Sequence, residues 1–167
     1  MLNHNIVAFL VEDKPGVLFN VSNMFRRRGF NINSITVGSV ENHVSRMTIT
    51  IEAEGRALNQ VVEQLDKMVD VIEVKRMDQV RTVVRELMLV KLRTVDPMAR
   101  EEALSHINSY HGLILDIEPE SVIAEVTGEP EKLDNFLEQV KSIGIEEMSR
   151  TGITALERGR LKLKRSE

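Results

Sequence analysis

The chain contains no cysteine among its 167 residues. Disulfide bonds, thiolate metal sites and cysteine nucleophiles are therefore excluded, and the composition fits a reducing compartment. Apolar runs are short, and Ile6–Val11 falls far below the roughly 20 residues that a membrane span requires. No basic stretch followed by a long apolar one opens the sequence, so no signal peptide is predicted. We expect a cytoplasmic protein that makes no contact with a membrane.

Aromatic residues make up only 4% of the chain, and the net charge is −4, from 22 basic and 26 acidic residues. RNA-binding sheets stack bases on aromatic side chains, and nucleic-acid-binding domains usually carry a basic excess. The basic run Arg26–Arg28 is explained by the preference of a helix end for cations. No nucleic acid partner is predicted.

Histidine is scarce as well: the four are His4, His43, His106 and His111. No two of them are four residues apart, the spacing that places two ligands on one helix face, so no metal site is predicted. Phosphatases with a similar sheet cradle phosphate with an arginine-bearing loop after the first strand. Here that loop holds Glu12 and Asp13, which would repel phosphate. No catalytic residue is predicted, and the chain is expected not to be an enzyme.

Apolar periodicity divides the chain into two similar halves. Continuous or alternating apolar stretches predict eight strands: Ile6–Val11, Asn31–Val40, Ser45–Glu52, Val71–Lys75, Glu86–Arg93, Leu113–Ile117, Val122–Thr127 and Ile145–Ser149. Apolar stripes at helical spacing predict four helices, marked by Leu18, Val21 and Phe25, by Leu58, Val61 and Leu65, by the segment Pro97–Tyr110, and by Leu133, Phe136 and Val140. Each half therefore runs strand, helix, strand, strand, helix, strand.

This order is that of a ferredoxin-like βαββαβ unit, so we predict an α+β fold with two such units in tandem. Residues 1–77 form the first predicted domain, residues 78–160 the second, and residues 161–167 a basic tail. The basic residues after Gly159, which are predicted to lie in a solvated chain end, are Arg160, Lys162, Lys164 and Arg165. A sheet that carries helices on one face leaves the other for a partner, so a homodimer is expected.

The most informative motif is Asp13-Lys14-Pro15-Gly16-Val17-Leu18, between the first strand and the first helix. One interpretation is a tight turn, in which proline presets φ, glycine accepts an unusual φ and Asp13 caps the helix. The other is a receptor for an amino acid. The backbone N–H groups of Gly16, Val17 and Leu18 would hold a carboxylate at the helix start, and Asp13 would meet the ammonium group. Because Gly16 has no side chain, a ligand would approach the backbone closely.

A second motif, Gly29-Phe30-Asn31-Ile32-Asn33, follows the same helix. Glycine and asparagine both favour helix exits, which is one interpretation. The other is that the amide of Asn31, which offers both a donor and an acceptor, contacts a ligand across a dimer interface. The residues alone leave both open.

Asp13-x-Pro15-Gly16-x-Leu18 followed by Gly29-x-Asn31-Ile32 resembles an ACT domain, the small-molecule-sensing module of amino-acid metabolism. Further stretches resemble the small subunit of acetolactate (acetohydroxyacid) synthase, and the resemblance runs over about Asn5–Gly159. These stretches are Ser34–Val37, Ser45–Ile49, Val69–Val71, Arg85–Lys91 and Ser149–Gly152.

The resemblance implies a non-catalytic regulatory subunit in branched-chain amino acid biosynthesis, with the ACT domain in the first half. It would activate a separate catalytic subunit and confer feedback inhibition by valine, or in some cases leucine or isoleucine, bound where two ACT domains meet. The implied effector contacts are the backbone of Gly16, Val17 and Leu18, the side chains of Asp13 and Asn31, and Ile32 nearby. Position 13 is asparagine in some members of that family. The catalytic subunit would carry thiamine diphosphate, magnesium and FAD, and this chain would bind none of them.

In the second half, Thr94-Val95-Asp96-Pro97 stands where Asp13–Gly16 stands in the first, and it lacks a glycine. We therefore predict one type of effector site, in the first half only, and expect the second half to be the better candidate for contacting the catalytic subunit. An alternative function is a stand-alone sensor with two ACT-like halves that regulates another enzyme or transcription. The alternative shares the ligand chemistry and differs in the partner.

Overall fold

A computed structural model describes residues 5–78 and 80–163. The strands are β1 (Asn5–Glu12), β2 (Ile32–Glu41), β3 (Val44–Ile51), β4 (Val71–Arg76), β5 (Thr82–Arg93), β6 (Leu113–Ile117), β7 (Ser121–Gly128), β8 (Ile145–Arg150) and β9 (Thr154–Glu157). The helices are α1 (Val17–Arg28), α2 (Gly55–Asp66), α3 (Pro97–Ser109) and α4 (Pro130–Val140). The predicted βαββαβ order is confirmed in both halves, and β9 is an additional strand.

The chain forms two compact units. The first unit holds the chain up to Val83 together with the segment from Ile153 onward, and the second unit holds Val84–Gly152. After β9, which belongs to the first unit, the backbone N–H of Arg158 donates to the Arg81 carbonyl oxygen at 2.7 Å. The first unit is thus discontinuous along the sequence. Of the predicted basic tail, residues 164–167, with Lys164 and Arg165, lie outside the described residues.

In the first unit, four antiparallel strands lie in the order β2-β3-β1-β4. Every side chain from Ile6 to Val11 is buried, which explains why this strand is apolar without alternation. Val7 and Phe9 pack in one core with Val21 and with residues of α2, while the residues between them point to the opposite face of the sheet. The sheet is therefore covered on both faces along β1.

The segment after Ile153 is bound to the face of this sheet that lies away from α1 and α2. A guanidinium nitrogen of Arg46 donates to the Ala155 carbonyl oxygen at 2.9 Å. Lys75 forms an ion pair with Glu157, whose side chain is only 5% exposed. Partial burial lowers the pKa of the Arg46 guanidinium, and the nearby Glu157 carboxylate opposes that change. Charged groups at this depth require partners, so the segment and the sheet depend on each other.

In the second unit the strand order β6-β7-β5-β8 repeats the strand order of the first sheet. Residues of β5 alternate between buried and more exposed positions, as a half-covered strand requires. Its buried Met88 and Leu92 belong to a core with Ile107 of α3 and Phe136 of α4. The cores of the two units therefore have no residue in common.

Two details of the sequence-based prediction are wrong. The buried residues of α1 are Val17, Val21 and Phe25, whereas Leu18 is 48% exposed. Successive helical residues are rotated by about 100°, so Leu18 points away from the face that carries Val17. β5 begins at Thr82, four residues before the predicted start at Glu86. Thr82 and Glu86 are both buried although they are polar, so the alternation of buried and exposed positions in this strand is not visible as an alternation of apolar and polar residues in the sequence.

None of the helices within the described ranges combines the length and the apolar character needed to cross a membrane.

Candidate functional site

The turn between β1 and α1 ends in a glycine with a left-handed backbone. Gly16 is the N-cap residue of α1, with φ 89° and ψ −11°. Residues with a Cβ rarely adopt this conformation, which accounts for glycine at this position. A Cβ built on Gly16 would meet no atom within 4 Å. The backbone here is thus open to an approaching molecule.

The backbone N–H groups at the start of α1 are largely unused. The Val17 N–H reaches the Lys14 carbonyl oxygen only at a long 3.4 Å. No hydrogen bond to the N–H groups of Gly16 or Leu18 is found within residues 5–78 and 80–163. The helix has neither a side-chain cap nor an acidic residue in its first turn. Free donors and the positive end of the helix dipole therefore point at the same place, where an anion is stabilised.

Asp13 does not cap the helix, so that part of the turn interpretation is wrong. Its backbone N–H donates to the His43 carbonyl oxygen at 2.9 Å, which fixes the residue beside the β2–β3 turn. Its neighbours Glu12 and Lys14 form an ion pair, and the Glu12 carboxylate raises the pKa of Lys14. The exposed Asp13 carboxylate has no recorded partner in the described part of the chain. It remains available for a cation at the turn.

Asn31 and Ile32 lie at the other end of the sheet. Glu12 pairs with Val44 on β3, whereas Ile32 pairs with Ile51 on the same strand. Positions seven residues apart on a strand are separated by about 23 Å. The structure therefore brings Asp13, Gly16, Val17 and Leu18 together and places Asn31 and Ile32 away from them within one chain.

The β2 strand is a long open edge of the first sheet. It pairs only with β3, and its outer backbone groups face away from the sheet. The exposed side chains along it include Val37 and Val40, with a charge only at its last residue, Glu41. Soluble proteins usually protect such an edge with charges, proline or a covering element. An edge that lacks these features is suited to pairing with another strand.

A cavity of about 320 Å³ in the first unit lies along α1 and does not involve the turn. Its lining includes Asn20, Asn23, Arg27 and Gln64, and it contains none of the predicted effector residues. No group of three or more histidine, aspartate or glutamate side chains within the described residues is arranged to hold a metal ion. In this unit, the start of α1 is therefore the feature that fits the amino-acid receptor predicted from the motif Asp13–Leu18.

Comparison with known proteins identifies the relatives of the chain. Residues 7–73 match the family described as an AHAS small subunit-like ACT domain, and residues 85–159 match the family described as the small subunit of acetolactate synthase. A probable acetolactate synthase small subunit of Methanothermobacter thermautotrophicus is 45% identical over 156 residues, covering 93% of both chains. The acetolactate synthase small subunit of Mycolicibacterium smegmatis is 40% identical, covering 92% of this chain and 90% of its own length.

The crystal structure of an acetolactate synthase small subunit from Thermotoga maritima is similar over the whole fold. It superposes with a TM-score of 0.88 at 35% sequence identity and covers 95% of this chain and 99% of its own. Both halves of the chain, and their order, are thus shared with these proteins. The chain belongs to the family of regulatory small subunits of acetolactate synthase.

Proposed function

We propose that this chain raises the activity of the acetolactate synthase catalytic subunit and makes that subunit sensitive to feedback inhibition by valine. The observation that carries the proposal is the uncapped start of α1 behind Gly16, in a chain of this family. The chain contributes no catalytic group. The catalytic subunit would hold thiamine diphosphate, magnesium and FAD.

The effector would bind as a zwitterion at the β1–α1 turn. Its carboxylate would accept hydrogen bonds from the N–H groups of Gly16, Val17 and Leu18, where the helix dipole also favours negative charge. Its ammonium group would lie beside the exposed carboxylate of Asp13. The side chain of Leu18, which is half exposed at the helix start, offers apolar surface to a branched aliphatic side chain. Together these groups favour a small apolar amino acid.

A second copy of the chain would complete the site. Two β2 edges that pair antiparallel about a two-fold axis place the beginning of one strand beside the end of the other. Asn31 of the partner subunit and Ile32 of the partner subunit would then approach the end of the sheet that carries Gly16. Within one chain, Ile32 lies about 23 Å along the sheet from the end that carries Gly16. In the paired dimer, Ile32 of the partner subunit would lie close to that end. The homodimer is therefore part of the proposed sensor.

Reconstitution with the catalytic subunit tests this function. The chain, purified alone, is mixed with its catalytic subunit, and the rate of acetolactate formation is measured with and without valine. We expect a higher rate in the mixture and inhibition by valine that the catalytic subunit alone does not show. An unchanged rate and an unchanged valine response would contradict the proposal. Failure to co-purify with the catalytic subunit, with retained valine binding, would favour the stand-alone sensor.

A further inference from the structure

The strand β6 is an apolar edge of the second sheet. It stands at the end of the strand order and pairs only with β7 within the described residues. All five of its residues are exposed, and the four aliphatic ones, between 40% and 61% exposed, are Leu113, Ile114, Leu115 and Ile117. Single apolar residues are common on a surface, whereas a contiguous apolar patch marks an interaction site. Because an edge strand also presents unpaired backbone N–H and C=O groups, β6 offers both hydrogen bonds and apolar surface to a further strand.

The opposite edge of this sheet is protected against such pairing. The edge strand β8 carries Glu146 and Glu147, and the edge strand β4 of the first sheet carries Glu73 and Lys75. Charged side chains on an edge oppose pairing with another strand. By contrast, β6 has one charged residue, Asp116, and it occupies the place in its sheet that β2 occupies in the first. Each unit thus has one protected edge and one open edge, in the same positions.

The two isoleucines of β6 lie on the same face of the sheet. Ile114 pairs with Ala124 of β7, and Ile117 pairs with Val122. Both partners belong to the core under α3 and α4, so the two isoleucines lie at the rim of that core. Their spacing of three residues on one face is possible because the register shifts between Ile114 and Asp116. Asp116, which is adjacent to Ile117, points to the opposite face.

This arrangement makes β6 complementary to a second copy of itself. Two antiparallel β6 strands related by a two-fold axis between Leu115 and Asp116 place Ile114 of each copy opposite Ile117 of the other. Residues directly opposite on antiparallel strands share a face, so both isoleucine pairs extend the apolar core across the junction. Asp116 then faces Leu115 of the partner subunit, so no like charges are directly opposed. The pattern of β6 alone supplies both halves of these contacts, which favours a second copy over a foreign strand.

We propose that β6 is a second self-association surface, which pairs antiparallel with β6 of another copy of this chain. The contact is held by backbone hydrogen bonds between the strands and by two symmetric pairs of Ile114 with Ile117. It is separate from the β2 pairing of the proposed sensor and requires neither valine nor the catalytic subunit. It also gives the second half a role other than the expected contact with the catalytic subunit.

The absence of cysteine from the chain permits a direct test by cross-linking. The double variant Ile114→Cys, Ile117→Cys places two cysteines opposite each other across the paired strands, within reach of a disulfide bond. We expect the full chain, equilibrated in a glutathione redox buffer, to form a covalent dimer on a non-reducing gel. The two single variants are the matched controls, because each cysteine lies roughly 10 Å from its own copy across the axis. Equal cross-linking in all three variants, or none in any of them, overturns the proposal.

Sedimentation of two charge variants measures the energetics of the contact. Ile117→Lys places a cation in the apolar pair, and we expect the dimer dissociation constant to rise about tenfold. Met98→Lys, the same change at an exposed residue of α3, should leave it unchanged. Self-pairing also brings the two Asp116 carboxylates near each other diagonally, so Asp116→Asn should lower the dissociation constant about threefold.

An unchanged dissociation constant in Ile117→Lys, or a raised one in Asp116→Asn, overturns the pairing of β6 with its own copy. The valine response of the reconstituted enzyme reports separately on the effector site. Loss of that response with intact cross-linking through β6 would count against the proposed effector function alone.

Discussion

The two units of this chain begin their first helix in opposite ways. Before α1 stands Gly16 with a left-handed backbone, and the helix has no side-chain cap. Before α3 stands Asp96, whose carboxylate binds the Ala99 N–H at 2.8 Å. The same place in the same fold is thus open to an external anion in one unit and closed by an internal carboxylate in the other. A cap and a bound carboxylate compete for the same N–H groups, so a helix start that serves a ligand gives up the stability of a cap.

The largest expected effect comes from closing the α1 start with a charge. Gly16→Asp places a carboxylate beside the one that the effector presents, and we expect the valine concentration for half inhibition to rise about a hundredfold while activation of the catalytic subunit persists. Gly16→Ala is the matched control, because it shares the strained φ without the charge and should lose less sensitivity. The measurement is a valine titration of the reconstituted enzyme. An unchanged inhibition curve in Gly16→Asp would show that the effector does not bind at this turn.

A charge in the middle of the open β2 edge should weaken the dimer. Val37→Lys places like charges near each other when two β2 strands pair, and we expect the dimer dissociation constant to rise about tenfold. Valine sensitivity should fall with it, because the site would be divided between separated copies. Sedimentation over a range of protein concentrations measures the association. Val80→Lys, at an 89% exposed residue outside the strand, is the control that should leave it unchanged.

The stabilities of the two helix starts should differ when their aspartates are removed. Asp96→Ala deletes the α3 cap and should lower the free energy of unfolding by about 1 kcal/mol. Asp13→Ala deletes a carboxylate that makes no cap and should leave the stability unchanged. Denaturant unfolding of both variants measures the difference. If both variants lost the same free energy of unfolding, the side-chain cap of α3 would contribute no more to stability than the uncapped Asp13 does.

The smallest effect is expected from neutralising the turn. Asp13→Asn removes the negative charge that would meet the effector's ammonium group and keeps the size of the side chain. Because Asp13 is exposed, the ion pair is screened by solvent, and valine affinity should fall only about threefold. Calorimetric titration of the purified chain with valine checks this. A loss of binding in this variant would mean that the carboxylate is more deeply enclosed in the dimer than in the single chain.

Most of the fold could be predicted because apolar periodicity reports directly on which faces are buried. β9 was not predictable in this way, since it has four residues and its alternation rests on Ala155 alone, with Ile153 just before it. The early start of β5 was hidden by Thr82 and Glu86, which are polar yet buried. Glu86 is tolerated there because Arg150 pairs with it at 2.5 Å. Such partners come from distant parts of the chain and leave no local signal.

The candidate site was predictable where it depends on residue chemistry and not where it depends on arrangement. The glycine at position 16 predicts an unusual backbone φ, and in the structure the φ of Gly16 is 89°. The distance of Asn31 from that turn follows from β1 and β2 being parallel members of one sheet, which the predicted order of elements already contained.

The late return of the chain to its first unit limits how the sensing half can be cut out. A fragment that ends at Asp78 would contain the Gly16 turn and all of β1 to β4, yet it would lack the Glu157 carboxylate and the Ala155 carbonyl that Lys75 and Arg46 bind. Two partly buried cations would then lose their partners. The amino-terminal half is therefore not a self-contained domain, and a fusion that transfers it to another protein would have to include β9 as well.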